Sequence, residues 1–159
     1  MKTIGLLVLL FFGLITYSSI NSHYLSVKPI IVRNDPGGLV PQEIMWIERL
    51  ESSGVPVQID GNCVSVCTFL LGLPHDQVCV TDKANLGFHA MFEVRTQMIL
   101  RGPTLEMAKI YYPKRINEWF AKEVIGSYDK EAETNNGHVD NKPIYLDADR
   151  LVAMGVKHC

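Results

Sequence analysis

The sequence lacks an excess of charge of either sign. Its 15 lysines and arginines nearly balance 17 aspartates and glutamates, which gives a net charge of −2, and no stripe of basic residues occurs. Proteins that bind nucleic acid generally need a basic patch or stripe that meets the phosphates. The composition therefore predicts no nucleic-acid partner.

Internal repeats, low-complexity tracts and Cys-X-X-Cys pairs are also missing from the chain. A zinc site is not expected, because no such cysteine pair occurs and because His75 and His89 lack the spacing of ligands. Of the 159 residues, 47% are hydrophobic, which suits one domain with a well-packed core. We expect neither a metal nor a cofactor.

An apolar run is present at the N-terminus, but it is short for a membrane span. Lys2 is followed by apolar residues from Ile4 to Ile15 and then by polar ones. This layout is typical of a secretory signal, whose apolar part has about 7 to 15 residues, whereas a membrane span needs about 20. Residues 1–22 are predicted to be a signal peptide or, if the run extends to Ile20, an uncleaved membrane anchor. Residues 23–159 would then form one domain in the periplasm or outside the cell.

Four cysteines in an exported protein indicate disulfide bonds, and four cysteines allow three pairings. Cys63 and Cys67 flank Ser65 and could join across the first turn of a helix. Cys79 and Cys159 would then be left to tie the end of the chain to a core strand. The alternative is that some of the four are buried without a bond, as small apolar side chains.

Short apolar runs alternate with helical patterns along the chain, which predicts an α/β fold. Strand, helix and strand in succession favour stacked βαβ units with right-handed crossovers and a mostly parallel sheet. A polar stretch over residues 128–142 predicts a loop, and Asp147 is expected to cap the last helix. Strands are predicted at residues 28–33, 55–59, 78–80 and 86–88, and helices at 41–50, 66–73, 104–125 (divided or kinked by Pro113) and 148–154.

A candidate acyl-transfer site centres on Ser65, in the stretch NCVSVCTFL between a predicted strand and helix. In open α/β sheets, ligands bind at the carboxyl ends of the strands. The Val66 amide would lie at a helix N-terminus, where free N–H groups favour developing negative charge. Gly37 and Gly38 let the backbone approach a substrate closely and could supply a second amide of this oxyanion hole. A serine hydroxyl also needs a base, for which His89 is the candidate.

The order of these motifs, DPGG, then the serine between two cysteines, then GFHA, resembles the ClpP/crotonase superfamily. It resembles specifically the small exported ClpP-like serine peptidases in which cysteines flank the serine. The resemblance covers residues 30–89, and the closing YLDADRLVAMGV is similar to the strand, cap, helix and glycine that end ClpP subunits. It implies a ClpP/crotonase-like fold in which Gly37 and Gly38 supply oxyanion donors, Ser65 is the nucleophile and His89 is its base.

The resemblance also implies a triad acid, and here the chain departs from the family. The triad aspartate of ClpP subunits lies just before the final strand and helix, where this sequence has Pro143. Asp140, three residues earlier, is the candidate for this role. Without an acid that orients His89 the site would be slow or inactive, because the wrong histidine tautomer alone can cost about four orders of magnitude in rate.

The sequence thus predicts an exported ClpP-like serine hydrolase that acts on peptide bonds in a peptide or protein substrate. The alternative hypothesis is a catalytically silent ClpP-like fold that serves as an envelope binding or assembly module. The missing acid favours this alternative, and the retained serine, histidine and glycine pair oppose it. Since ClpP relatives commonly form rings or trimers, a homo-oligomer is also among the expectations, as is membrane attachment through the N-terminal segment.

Overall fold

A computed structural model describes residues 27–135 and 139–159 of the chain. The predicted signal peptide or anchor, residues 1–22, lies outside these described residues. Among the helices of the described ranges, none is long and apolar enough to cross a membrane.

Within the described residues, five strands form one mostly parallel sheet, which confirms the predicted α/β class. The order across the sheet is β1-β2-β4-β5, and β3 pairs with the first half of β2. All pairings of β2 are parallel, while β5 runs antiparallel to β4. The strands are β1 (Ile30–Asp35), β2 (Val57–Val64), β3 (Val78–Val80), β4 (Asn85–Phe88) and β5 (Ile144–Asp147).

The central strand β2 is longer than predicted, since the sequence predicted a turn directly after Ile59. The strand continues because its polar residues find partners on neighbouring strands and loops. Asp60 accepts a hydrogen bond from the Thr81 hydroxyl at 2.8 Å, and Asn62 accepts one from the Asn85 side chain at 3.1 Å. This extension carries the chain to Ser65, at the carboxyl end of the sheet.

Helices cover the sheet, and the predicted break at Pro113 is confirmed. One helix ends at Tyr111 and the next begins at Lys114, because proline cannot continue the hydrogen-bond ladder. The helices are α1 (Val40–Ser53), a 3₁₀ helix that we call the serine helix (Ser65–Gly72), α2 (Arg101–Tyr111), α3 (Lys114–Trp119), a π-helical turn (Phe120–Ile125), α4 (Gly126–Thr134) and α5 (Ala148–Ala153).

The predicted loop over residues 128–142 is wrong in its first half, since α4 extends to Thr134. Tyr128 is buried despite its polar neighbours, and its hydroxyl donates to the Lys142 carbonyl at 2.7 Å. Asp129 forms a two-pronged ion pair with Arg101 on α2, at 2.8 and 3.0 Å. These contacts hold a helix that its polar composition alone did not indicate.

The C-terminal end of the domain follows the prediction. The Asp147 carboxylate accepts a hydrogen bond from the Arg150 N–H at 2.9 Å, which caps α5. Gly155, with φ of 96°, adopts the left-handed conformation that ends such a helix.

Both disulfide bonds considered from the sequence are present. Cys63 bonds to Cys67, with Cα atoms 5.4 Å apart, and Cys79 bonds to Cys159, with Cα atoms 5.1 Å apart. The first bond joins the end of β2 to the first turn of the serine helix, and the second attaches the last residue to β3. Two disulfides are typical of a protein that resides in an oxidising compartment.

Candidate active site

Ser65 occupies a strained turn between β2 and the serine helix. Its φ is +61°, in the left-handed region that residues with a side chain rarely adopt. Such backbone strain persists where surrounding contacts hold it in place, and it occurs often at functional sites. The Cys63–Cys67 disulfide spans this turn on both sides of the serine.

A buried chain of two hydrogen bonds, through Thr68 and Tyr112, supports the Ser65 turn. The Thr68 hydroxyl donates to the Ser65 carbonyl at 2.6 Å and lies 2.7 Å from the Tyr112 hydroxyl. Since Thr68 has one hydroxyl proton and gives it to Ser65, Tyr112 must be the donor in the second bond. Burial raises the pKa of Tyr112, so its hydroxyl keeps the proton that this bond requires. These bonds connect the backbone of Ser65 to Tyr112, the residue that directly follows α2.

The loop between β1 and α1, residues 36–39, lies directly against the serine turn; we call it the DPGG loop because it contains the proline and both glycines of that motif. A Cβ atom placed on Gly37 would lie 2.6 Å from the Val64 carbonyl oxygen and 2.8 Å from the Ser65 Cβ. Gly37 also has φ of +81°, so both its conformation and its space require glycine. The glycine thus allows the loop to approach the serine.

The amide of Gly37 is already used, whereas that of Gly38 is free. The Gly37 N–H donates to the Asp35 carboxylate at 2.8 Å. In the ranges that the structure describes, the Gly38 amide has no hydrogen-bond acceptor. The Val66 amide is one of the first N–H groups of the serine helix, which helix geometry leaves without an acceptor in the helix. Gly38 and Val66, rather than Gly37, therefore remain as donors for an oxyanion.

His89 directly follows β4 and is held by the backbone. Its Nδ1 lies 2.7 Å from the carbonyl oxygen of Ala90. A carbonyl only accepts hydrogen bonds, so this contact assigns the ring proton to Nδ1 and leaves Nε2 as a base. Burial lowers the pKa of His89, and the Ala90 contact opposes that shift in part. The neutral imidazole that a general base requires is thus favoured.

Asn141 holds the group that orients His89, and sequence reasoning missed it. Its side-chain amide forms hydrogen bonds with both backbone groups of Ala90. The side-chain oxygen accepts from the Ala90 N–H at 3.2 Å, and the side-chain nitrogen donates to the Ala90 carbonyl at 2.9 Å. The same nitrogen lies 3.2 Å from His89 Nδ1, a longer contact than that of the carbonyl. The Ala90 carbonyl, held by Asn141, therefore stands where a triad acid would stand.

Asp140, the predicted triad acid, is placed elsewhere. Its carboxylate pairs with Lys142, and its N–H donates to the Glu131 side chain at 3.1 Å. Within the residues that the structure describes, no hydrogen bond joins Asp140 to His89. The next residue, Asn141, contacts His89 instead, and no pattern in the sequence distinguishes it from its neighbours. Thr68 could have been found, since a threonine three residues after a serine turn is well placed to bond back to its carbonyl.

Ser65 and His89 line one cavity of about 220 Å³. No hydrogen bond joins the two side chains among the described residues, although catalytic hydrogen bonds often tighten only when substrate binds. Gly38 and Val66 also border this cavity, so four of the six predicted members of the site share one space, and Gly37 and Asp140 are not among its lining residues. Its remaining lining is mainly apolar: Leu39, Val40, Pro41, Phe69, Met91, Phe92, Val94, Thr104, Tyr112 and Phe120.

The described residues contain no cluster of three or more histidine, cysteine or acidic side chains that could hold a metal ion. No family model matches the chain, and no curated protein matches its sequence. Function must therefore be argued from the geometry of this cavity.

Proposed function

We propose that the protein is an exported serine hydrolase of the ClpP/crotonase superfamily and that it cleaves peptide bonds. The observation that carries the proposal is the strained Ser65 turn, which shares one cavity with His89, Gly38 and Val66. A serine in a left-handed conformation after a strand, with donors and a neutral histidine beside it, is the arrangement that acyl transfer needs.

In the proposed mechanism, His89 Nε2 takes the proton from the Ser65 hydroxyl as Oγ attacks the substrate carbonyl. The Gly38 and Val66 amides stabilise the negative charge that develops on the carbonyl oxygen. His89 then returns the proton to the leaving amine, and the acyl group stays on Ser65. Water, activated by the same histidine, hydrolyses the acyl-enzyme and restores the serine.

The neutral acceptor behind His89 sets an expectation for the rate. A carboxylate stabilises the imidazolium that forms during attack, whereas the Ala90 carbonyl contributes only a dipole. The carbonyl still selects the tautomer that leaves Nε2 free. We therefore propose a working but slow enzyme compared with proteases that use a full Ser-His-Asp triad.

The form of the surface supports a peptide substrate. The apolar cavity of about 220 Å³ would take an apolar side chain on the acyl side of the bond. A wider groove of about 820 Å³ borders Phe92 as well and continues past Asn141 towards Arg101 and Asp129. A chain that extends in both directions from Ser65 would use both features, which a small ester would not.

Membership of the superfamily rests on the order of the DPGG loop, the serine turn and the histidine along a mostly parallel sheet. Export rests on the N-terminal apolar run and on the two disulfides. The periplasm or the outside of the cell is the proposed location.

Fluorogenic peptides test the proposal. We expect the full chain to hydrolyse peptides with leucine, methionine or phenylalanine before the cleaved bond, at rates at least tenfold above those with aspartate or lysine there. Ser65→Ala and His89→Ala should each abolish this activity while the protein stays folded by circular dichroism. Activity that survives in Ser65→Ala would refute the proposal.

A silent binding or assembly module is the second candidate, and it is favoured by the neutral group behind His89. It would show tight binding of apolar peptides, measured by fluorescence anisotropy, without any turnover. Binding without turnover in the wild-type protein, unchanged in Ser65→Ala, would favour this candidate over the hydrolase.

A further inference from the structure

Asp35 links the DPGG loop to the sheet. It is the last residue of β1, where it pairs in register with Cys63 on the strand that leads to the serine. Its carboxylate accepts the Gly37 N–H at 2.8 Å. Gly37 packs against the Ser65 turn, so this bond fixes the residue that directly precedes the Gly38 amide.

A second carboxyl group, that of Glu43, lies on the other side of the same loop, since Asp35 ends β1 before it and Glu43 stands in α1 after it. Glu43 lies in the first turn of α1, directly after the DPGG loop. Among the described residues its Oε1 is the buried side-chain oxygen that has no hydrogen-bond partner. Burial raises the pKa of Glu43 to about 7, and the charge of Asp35 adds to this shift. A neutral carboxyl suits such a site, whereas an ionised one is costly without a donor.

Few ionisable groups lie on the elements beside Glu43, which are β1 and the serine helix. On β1 the group whose charge acts on Glu43 is Asp35, whereas Arg33 on the same strand is paired with Asp60 at 3.2 Å. The serine helix, which packs against α1, carries no ionisable side chain apart from its disulfide-bonded cysteine. In the ranges that the structure describes, Glu43 forms no ion pair, and the neighbouring charge that acts on it, that of Asp35, is negative.

We propose that Asp35 and Glu43 form a carboxyl pair that positions the oxyanion donor of Gly38. Asp35 holds the loop through its hydrogen bond to Gly37, and Glu43 leaves that bond intact only while its own carboxyl group is neutral. This inference rests on the proposed hydrolase function, which it deepens by assigning a positioning residue and a pH control. When Glu43 loses its proton, negative charges stand at both ends of the loop and repel each other. Asp35 is then displaced, Gly37 is released and the Gly38 amide loses its orientation.

Kinetics of the full chain on apolar fluorogenic peptides test the positioning role. Since the Gly38 amide acts on charge that appears in the transition state, Asp35→Ala should lower kcat by about 10-fold or more and change KM less than twofold. Asp35→Asn, which keeps the accepting oxygen, should retain most of the wild-type kcat. Equal losses in the two variants would overturn the role of the hydrogen bond.

The pH profile tests the role of Glu43. The wild-type rate should fall at low pH as His89 takes up a proton and fall again above pH of about 7 as Glu43 ionises. Glu43→Gln should remove the fall above pH 7 and leave the acid limb in place. Glu48→Gln, an exposed neighbour on α1, is the matched control and should keep both limbs.

A measurement without substrate separates this inference from the hydrolase proposal. The amide proton resonances of Gly37 and Gly38 in ¹⁵N-labelled full chain should shift with a midpoint near pH 7, and Glu43→Gln should abolish the shift. Peptide turnover combined with pH-independent glycine resonances would overturn the inference and leave the hydrolase standing. Glycine resonances that shift near pH 7 in a protein with neither peptide turnover nor serine labelling would support the carboxyl pair and overturn the hydrolase.

Discussion

At the scale of single residues, the serine turn depends on a side chain that never meets the cavity. Thr68 is fully buried and bonds both to the Ser65 carbonyl and to the Tyr112 hydroxyl. Because Ser65 has φ of +61°, its backbone would relax if these bonds were lost. The position of the nucleophile is therefore set by its neighbours.

Thr68→Val tests this support, because valine has the same shape without the hydroxyl. The change leaves the Tyr112 hydroxyl and the Ser65 carbonyl without their partner, which should lower the free energy of unfolding by about 1–3 kcal/mol. Urea unfolding followed by circular dichroism measures this loss. Thr68→Ser keeps the hydroxyl and should stay closer to wild type, and a Thr68→Val protein as stable as Thr68→Ser would contradict the role given to the bonds.

Glu43 provides a second residue-scale test, in the pH dependence of stability. Its pKa in the folded protein is raised to about 7 from an ordinary value of 4.5. The folded state thus holds a proton that the unfolded state has lost in this window, so stability is full below pH 4.5 and declines as pH rises through 7. Glu43→Gln should therefore be more stable than wild type at pH 8, by on the order of 1 kcal/mol since water screens the half-exposed side chain, and equal to it near pH 4.

At the scale of structural elements, the DPGG loop and the serine helix form one packed unit. The loop reaches the serine because Gly37 has no side chain, and the Cys63–Cys67 bond ties the strand end to the helix start. These two elements bring the Gly38 and Val66 amides to the same cavity.

Gly37→Ala tests this packing. A methyl group at this position would meet the Val64 carbonyl oxygen at 2.6 Å, and alanine also disfavours φ of +81°. We expect a loss of roughly 2 kcal/mol or more in stability, together with loss of peptide hydrolysis. Gly102→Ala, in α2, meets no atom within 4 Å and should be neutral or slightly stabilising. If both variants melt at the wild-type temperature, the close approach of the loop is wrong.

The strands and helices could be predicted from the sequence only where local effects determine them. Apolar runs predicted the strands near their observed places, and Pro113 and Asp147 predicted the helix break and the cap, because these are local effects. The polar DGN stretch of β2 and helix α4 were missed, since their polar groups are satisfied by residues distant in sequence. The same limit applies to the site. Asn141 meets His89 across 52 positions, a proximity that only the fold creates.

At the scale of the whole molecule, the second disulfide closes the domain. It joins Cys79 on β3 to the last residue, Cys159, across a sequence separation of 80. The final residues also add a bridge beside β3, in which Val80 pairs with His158. The C-terminal segment, which follows α5, is thereby fixed to the core.

Replacing both cysteines by serine, Cys79→Ser with Cys159→Ser, should lower the free energy of unfolding by about 4 kcal/mol, because a loop of this length is no longer closed in the unfolded chain. Denaturant unfolding of the oxidised proteins measures the difference. Mass spectrometry of unreduced wild-type protein should show both linkages, and free thiols at these positions would contradict the account. The homo-oligomer stays a prediction that sedimentation of the full chain can check.

If Ser65 is a nucleophile activated by its cavity, it should react covalently with a fluorophosphonate. A serine hydrolase of known reactivity in the same sample serves as the positive control, and Ser65→Ala as the negative one. We predict one adduct per chain, mapped to Ser65 by peptide mass spectrometry, absent in Ser65→Ala and much slower to form in His89→Ala. A folded, unlabelled wild-type protein beside a labelled control would contradict this prediction.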